Sequence, residues 1–138
     1  MAKYRKRHAP IPTPTPITQP FWEGTGRHEL LLQRCDAGHV FYYARSHCPE
    51  CLSATLTWVR ASGKGRVYSY TVARRPQSME FSEDVPYVIA AITLDEGPRM
   101  TSLLVDADPD HVQIEAPVEV VWEDVADGMA MPYFRPLR

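Results

Sequence analysis

Along most of the chain, apolar and polar positions alternate in short stretches, and no helical period is sustained over a useful length. Residues 66–74, RVYSYTVAR, set Val67, Ser69 and Thr71 against Tyr68, Tyr70 and Val72. Residues 87–95, YVIAAITLD, are nearly continuously apolar, the mark of a central, buried strand. EGP turns the chain, and RMTSLLVDA follows as a hairpin partner. In VEVVWEDV, Val118, Val120 and Trp122 oppose Glu119, Val121 and Glu123; ADG turns again and MAMPYFRP closes the chain. LTWVRAS reads as one more strand before a GKG turn or bulge at 63–65. Short strands with turn signals between them predict an all-β fold, with a small barrel over residues 58–138. An OB-fold barrel is the simplest candidate of this size.

The pattern differs upstream. In TQPFWEGTGRHELLLQRC, Thr18 is placed as an N-cap with Pro20 in the first turn, and Gly24 and Gly26 should stop the helix within a turn or two. Leu30, Leu31 and Leu32 then lead, as a strand, into the first cysteine. Residues 1–17 read as a tail: Lys3, Arg5, Lys6 and Arg7 repel one another, and Pro10, Pro12, Pro14 and Pro16 favour an extended run, either mobile or laid across a partner. The expected division is therefore a tail at 1–17, a short helix and ribbon at 18–57, and the barrel.

Residues 35–51, CDAGHVFYYARSHCPEC, carry the candidate chemistry. Cys48 and Cys51 have the C-x-x-C spacing with which two thiolates grip one metal ion. The first half does not mirror this, because Gly38 stands three residues after Cys35 and His39 follows it. Imidazole reaches further than a thiol, so His39 can still fill the fourth corner. His47, beside Cys48, would have to turn back on itself. Two readings follow: a structural Cys3His zinc site made of Cys35, His39, Cys48 and Cys51, or an empty ribbon whose cysteines pack as small apolar residues. A redox role for Cys48 and Cys51 lacks the strand–C-x-x-C–helix context.

Composition narrows the classes. Of the 138 residues, 44% are apolar, enough for a packed core. No apolar run is long enough for a membrane span, and the basic N-terminus runs into prolines rather than a secretory apolar segment, so a cytoplasmic protein is expected. The odd count of 3 cysteines, all clustered, argues against a disulfide framework. A net charge of −2 gives no broad basic field for a phosphate backbone.

PFWEG before a strand and QRC, then the ribbon, GKGRVYSYTV, PYVIAAITLDEG, DADPD and PVEVVWED with PYFRP follow one another in an order that resembles a known family. This is the family of rubredoxin-like zinc ribbon plus OB-fold proteins associated with acyl-CoA enzymes, and the resemblance covers residues 18–136. It implies a helix and ribbon packed beside an OB barrel, in an accessory subunit of a thiolase-superfamily partner. Acyl transfer, condensation or retro-aldol chemistry would belong to that partner. The small chain would hold the assembly together or help present an acyl-CoA. The family's ribbon commonly has two C-x-x-C pairs, and here Gly38 replaces a cysteine. A loop position that usually reads Gly is occupied here by Glu115 or Ala116.

The chain shows no G-x-S-x-G, no H-E-x-x-H and no phosphate-cradling glycine loop, so a catalytic site within it is not expected. Lys64, Arg66, Arg74 and Arg75 are candidate contacts to the phosphates of an acyl-CoA. Phe21 and Trp22, on a helix too short to bury them alone, are candidate partner anchors. The alternative from another class is a stand-alone nucleic-acid-binding OB module, with Tyr68 and Tyr70 sharing a face with those cations. The acidic loops SMEFSEDVP and DADPDH disfavour it.

Overall fold

The structure is a computed structural model and describes residues 11–137. Lys3, Arg5, Lys6, Arg7, His8 and Pro10 of the expected tail lie outside the described residues. Residues 11–15, with Pro12 and Pro14, carry no regular secondary structure. The helix α1 (Gln19–Gly26) leads to β1 (Leu31–Cys35), β2 (Val40–Phe41) and β3 (Leu56–Arg60), then β4 (Lys64–Ala73), β5 (Tyr87–Leu94), β6 (Arg99–Leu104), β7 (Pro117–Ala126) and β8 (Met129–Pro136). No described helix is long and apolar enough to cross a membrane.

The fold is all-β, as the alternation implies: a closed barrel in the order β4-β5-β6-β8-β7, beside a ribbon sheet ordered β2-β1-β3. β3 pairs with β1 along its whole length, Leu31 against Arg60 to Cys35 against Leu56. A boundary at residue 58 thus falls inside a ribbon strand. Along β5, Val88, Ala90, Ile92 and Leu94 are buried while Ile89, Ala91 and Thr93 are half-buried, so the apolar run has a distinct inner row. Phe134 of β8, fully buried, stands opposite Leu104 in parallel and Val120 in antiparallel register, which closes the barrel.

Strict alternation fails in β4. Val67 pairs with Ile92, but Ser69 pairs with Ala91 and Tyr70 with Ala90, leaving Tyr68 in a bulge. The extra residue shifts the faces, so Val67, Tyr70 and Val72 lie in the inner row and Tyr68 lies on the other face. Tyr68 and Tyr70 therefore do not share a face. Arg99 lies 3.5 Å above the Tyr68 ring.

Gly24 lies inside α1 and Gly26 is its last residue, so the helix stops within the two turns expected. A side chain on Gly24 would meet Leu31 at 2.8 Å, and one on Gly26 would meet the Gly128 carbonyl oxygen at 2.3 Å. The two glycines let the helix lie directly on β1 and on the β7–β8 turn. Between them Thr25, fully buried, donates to the Trp22 carbonyl at 2.6 Å and accepts the Ala130 N–H at 3.1 Å. Thr18 sits at the N-cap, yet its hydroxyl accepts from the Thr15 N–H at 2.8 Å and makes no cap to the helix. Phe21, Leu30 and Leu32 join the barrel's own core, so helix, ribbon root and barrel share one apolar interior. Thr25→Val keeps the shape and strands the Ala130 amide. The expected cost is about 1–3 kcal/mol, read in a calorimeter as a melting midpoint lower by about 3–10 °C.

Candidate metal centre and apolar groove

The turn after β1 and the loop after β2 bring Cys35, His39, Cys48 and Cys51 together, with one donor atom of each within 4.8 Å of all the others. Cys35 Sγ lies 3.8 Å from Cys51 Sγ. His39 Nδ1 lies 3.4 Å from Cys35 Sγ and 3.7 Å from Cys48 Sγ. A tetrahedral zinc ion, with sulfur at about 2.3 Å and nitrogen at about 2.0–2.1 Å, requires S···S edges of about 3.8 Å and S···N edges of about 3.6 Å. The donor set is that of a closed structural zinc site, with three soft thiolates and one imidazole.

Local chain geometry explains why the fourth corner is a histidine. Gly38 has φ +93, a left-handed conformation that strains any other residue, cysteine included. Its N–H returns to the Cys35 carbonyl at 3.0 Å, and the Cys35 N–H donates to the His39 carbonyl at 3.0 Å. The chain thus folds back one residue later, and His39 points at the sulfurs. Backbone N–H groups of His39 and Glu50 donate to Cys35 Sγ and Cys48 Sγ, each at 3.4 Å.

These amides also set the thiol acidities. Burial pushes the Cys35 thiol up, but hydrogen bonds from the His39 and Ala37 backbone and from Cys51 and His39 bring it below its ordinary value. Cys48 follows the same pattern, burial being outweighed by the Cys51 and Glu50 backbone and by the Cys51 and Cys35 side chains. At Cys51 the Ser53 backbone lowers the thiol, but burial and the neighbouring Cys48 and Cys35 leave it raised.

On the far side of α1, the outer faces of β5, β6 and β8 form the floor of an apolar groove of about 340 Å³. Trp22, Tyr42, Phe81, Ile89, Leu103 and Met131 line it, and Ile11 and Pro12 lie along one edge. Among the described residues no charged side chain lines it. Burial raises the Tyr133 hydroxyl, helped by the Glu123 and Asp84 carboxylates, and burial with the neighbouring Tyr43 raises that of Tyr42, so both phenols stay neutral.

Two family descriptions match in the same order as the structural units. Residues 22–57 match the ChsH2 rubredoxin-like zinc ribbon domain, and residues 58–123 match the ChsH2 C-terminal OB-fold domain. The chain belongs to this ChsH2 family. A DUF35 domain-containing scaffold protein of Methanothermobacter thermautotrophicus is 42% identical over 103 residues, covering 73% of this chain and 77% of the relative. A probable enoyl-CoA hydratase alpha subunit of Thermomonospora curvata is 37% identical over 84% of this chain, which spans only 36% of that longer protein. A solved chain of the Ltp2-ChsH2(DUF35) aldolase superposes with a TM-score of 0.80 at 34% identity, over 91% of this chain and 98% of its own. Zinc is the ion that this ChsH2-type ribbon and its donor set fit.

The other residues singled out from the sequence are dispersed. In this ChsH2-type chain Lys64 and Arg66 begin β4, whereas Arg74 and Arg75 follow its end. A ten-residue strand separates the two pairs by about 30 Å, too far to serve one phosphate group. Arg66 donates to the Glu115 carbonyl at 3.1 Å and Arg74 is paired with Asp110 at 3.0 Å. Phe21, only 6% exposed, is core and offers no face to a partner, while Trp22, stacked edge-on against it at 4.9 Å, lines the groove. His47 turns away to Ser46 at 2.9 Å. Glu115 adopts φ +68, the left-handed conformation for which the family's usual Gly is suited.

Sequence reasoning missed Gln33 and Glu50. Gln33, buried, clamps the loop that carries Cys48 by donating to the Arg45 carbonyl at 3.1 Å and accepting its N–H at 2.8 Å. A polar residue at a buried strand position was the available signal. Glu50 lies between the paired cysteines, 3.2 Å from His39 Nε2, and nothing in the C-P-E-C spacing distinguishes it from a solvated knuckle residue.

Proposed function

We propose that this chain is a non-catalytic accessory subunit of a thiolase-like acyl-CoA-processing complex. In this reading Cys35, His39, Cys48 and Cys51 hold a structural zinc ion that keeps the ribbon rigid. Ribbon and barrel together scaffold a larger, thiolase-superfamily partner and help position its acyl-CoA.

The observation that carries the reading is the neutral, apolar groove framed by helix, ribbon and barrel. Trp22 of the helix and Tyr42 of the ribbon complete walls that otherwise come mainly from the barrel and its loops. A groove of that character suits an apolar partner segment or the acyl portion of a substrate better than it suits phosphates. The thiol, imidazole and carboxylate that stand together, Cys35, His39 and Glu50, belong to the proposed metal cluster, which supports assigning the chemistry to the partner. Relatives named as scaffold proteins, and the likeness to the chain of the Ltp2-ChsH2(DUF35) aldolase, support an accessory role. Arg74 and Arg75 remain the better placed of the cations for coenzyme phosphates. Ala73 pairs with Tyr87, and both Tyr87 and Gln77 line the groove.

Native mass spectrometry of the tagged chain, purified from its own host without chelators, tests the reading. The expected result is a complex with a much larger thiolase-like chain and one zinc mass per small subunit. A metal-free monomer that copurifies with nucleic acid would overturn it and favour the OB-module alternative.

A further inference from the structure

We propose that Glu50 is a positioning residue for the zinc site: its carboxylate holds the His39 ring so that Nδ1, rather than Nε2, faces the three thiolates. The inference rests on the Cys3His reading above. A neutral imidazole has one N–H and one lone pair, and either nitrogen can ligate a metal. Glu50 Oε2 stands 3.2 Å from Nε2, while Nδ1 stands 3.4 Å and 3.7 Å from the sulfurs of Cys35 and Cys48. With the ring proton on Nε2, the side that faces the carboxylate, the Nδ1 lone pair faces the three thiolates. A histidine ligand whose second nitrogen is held in this way is fixed in tautomer and orientation, and is a stronger base.

Charge gives a second reason. Four thiolates around a divalent ion carry a net charge of −2, and an imidazole in place of one thiolate reduces this to −1. The Glu50 carboxylate, 3.2 Å from that imidazole, restores the missing negative charge on the far side of the ring. Gly38 in a left-handed turn excludes a cysteine without strain, so the site reaches its fourth ligand through a histidine and its fourth negative charge through a glutamate. The backbone N–H of Glu50 separately supports Cys48 Sγ at 3.4 Å, an interaction that substitution of the side chain leaves in place.

The test compares the full-length chain with Glu50→Gln and Glu50→Ala. Zinc affinity is measured by competition with a chromophoric chelator, and the His39 ring tautomer by long-range 1H–15N correlation in the zinc-loaded protein. Gln retains an acceptor but not the charge, so Nδ1 ligation is expected to persist with an affinity lower by about tenfold. Ala loses both, and an affinity loss nearer 100-fold is expected with altered ring 15N shifts. Unchanged affinity and unchanged ring shifts in Glu50→Ala overturn the proposal while leaving the zinc site standing. Cobalt(II) substitution of the wild-type chain separates the two levels. Three-thiolate charge-transfer bands support the Cys3His reading, and their absence removes that reading and the role of Glu50 with it.

Discussion

Cys48→Ser is expected to abolish stoichiometric zinc binding and release the loop from about residue 35 to 55, while the barrel stays folded. Cys48 is fully buried and belongs to a cluster of its own, with Cys35 and Phe41, against which Leu56 packs. That cluster is too small to order the loop by apolar burial. Without the metal, the loop is held by the Gln33–Arg45 clamp, by the Cys48 N–H to the Ser53 carbonyl at 2.8 Å, and by the Ser53 hydroxyl to Asp36 at 2.7 Å. Serine offers a hydroxyl that zinc does not accept in place of a thiolate, so the site loses its most enclosed corner. Small zinc-dependent folds are unfolded without their metal for the same reason. The barrel differs because Val67, Val88, Ile92, Leu104, Val118 and Phe134 form a core that needs no ribbon tip.

Metal content by plasma mass spectrometry should fall below about a tenth of an ion per chain, given the loss of a primary ligand. Hydrogen exchange should rise by about 100-fold or more in the loop and remain unchanged in β5, in keeping with local rather than global opening. Full metal content together with an unchanged melting midpoint would show that the ribbon does not depend on zinc. The empty-ribbon reading would then hold.

The parts of this fold that were legible in the sequence are those governed by short periods. Val118, Val120 and Trp122 against Glu119, Val121 and Glu123 mark the two faces of β7, and both faces prove to be packed: the first set on the barrel core, Val121 on the outer cluster with Tyr133. The bulge at Tyr68 was hidden because one unpaired residue leaves no mark on an alternating string, yet it moves Tyr70 to the other face. The glycines of α1 end the helix where expected, at Gly26, but their second role was hidden. Gly in a helix signals an end or a close approach, and only the tertiary neighbours, Leu31 and Gly128, reveal the latter. The metal cluster was legible because its donors lie within one loop. The groove was not, since Trp22, Ile89 and Met131 come from elements far apart in sequence.

Leu103→Glu is expected to weaken binding of the proposed thiolase-like partner by at least about 30-fold, with the free chain remaining folded. Leu103 is half-buried on the outer face of β6, opposite Ile89, where both help to line the groove. In the free chain the new carboxylate can turn toward water at the open side of the groove. In a complex that fills the groove it is desolvated without a counter-charge from the lining, since none of the described residues that line that surface is cationic. A loss of 2 kcal/mol or more is typical of a central apolar anchor, and about 2 kcal/mol corresponds to the stated 30-fold. Trp22→Ala should act in the same direction by removing the aromatic wall. Phe21, buried behind Trp22, continues to anchor α1 to the core. Arg66→Ala, at the opposite end of β4 from the groove, serves as the control and should leave binding within a factor of about two, as surface changes away from an anchor do. The measurement is calorimetric titration of the purified partner into each zinc-loaded variant, with the melting midpoint of each free chain recorded alongside. If Leu103→Glu and Trp22→Ala both bind like the wild type while Arg66→Ala does not, the contact runs along the opposite end of the barrel, and the groove is left free for the acyl group alone.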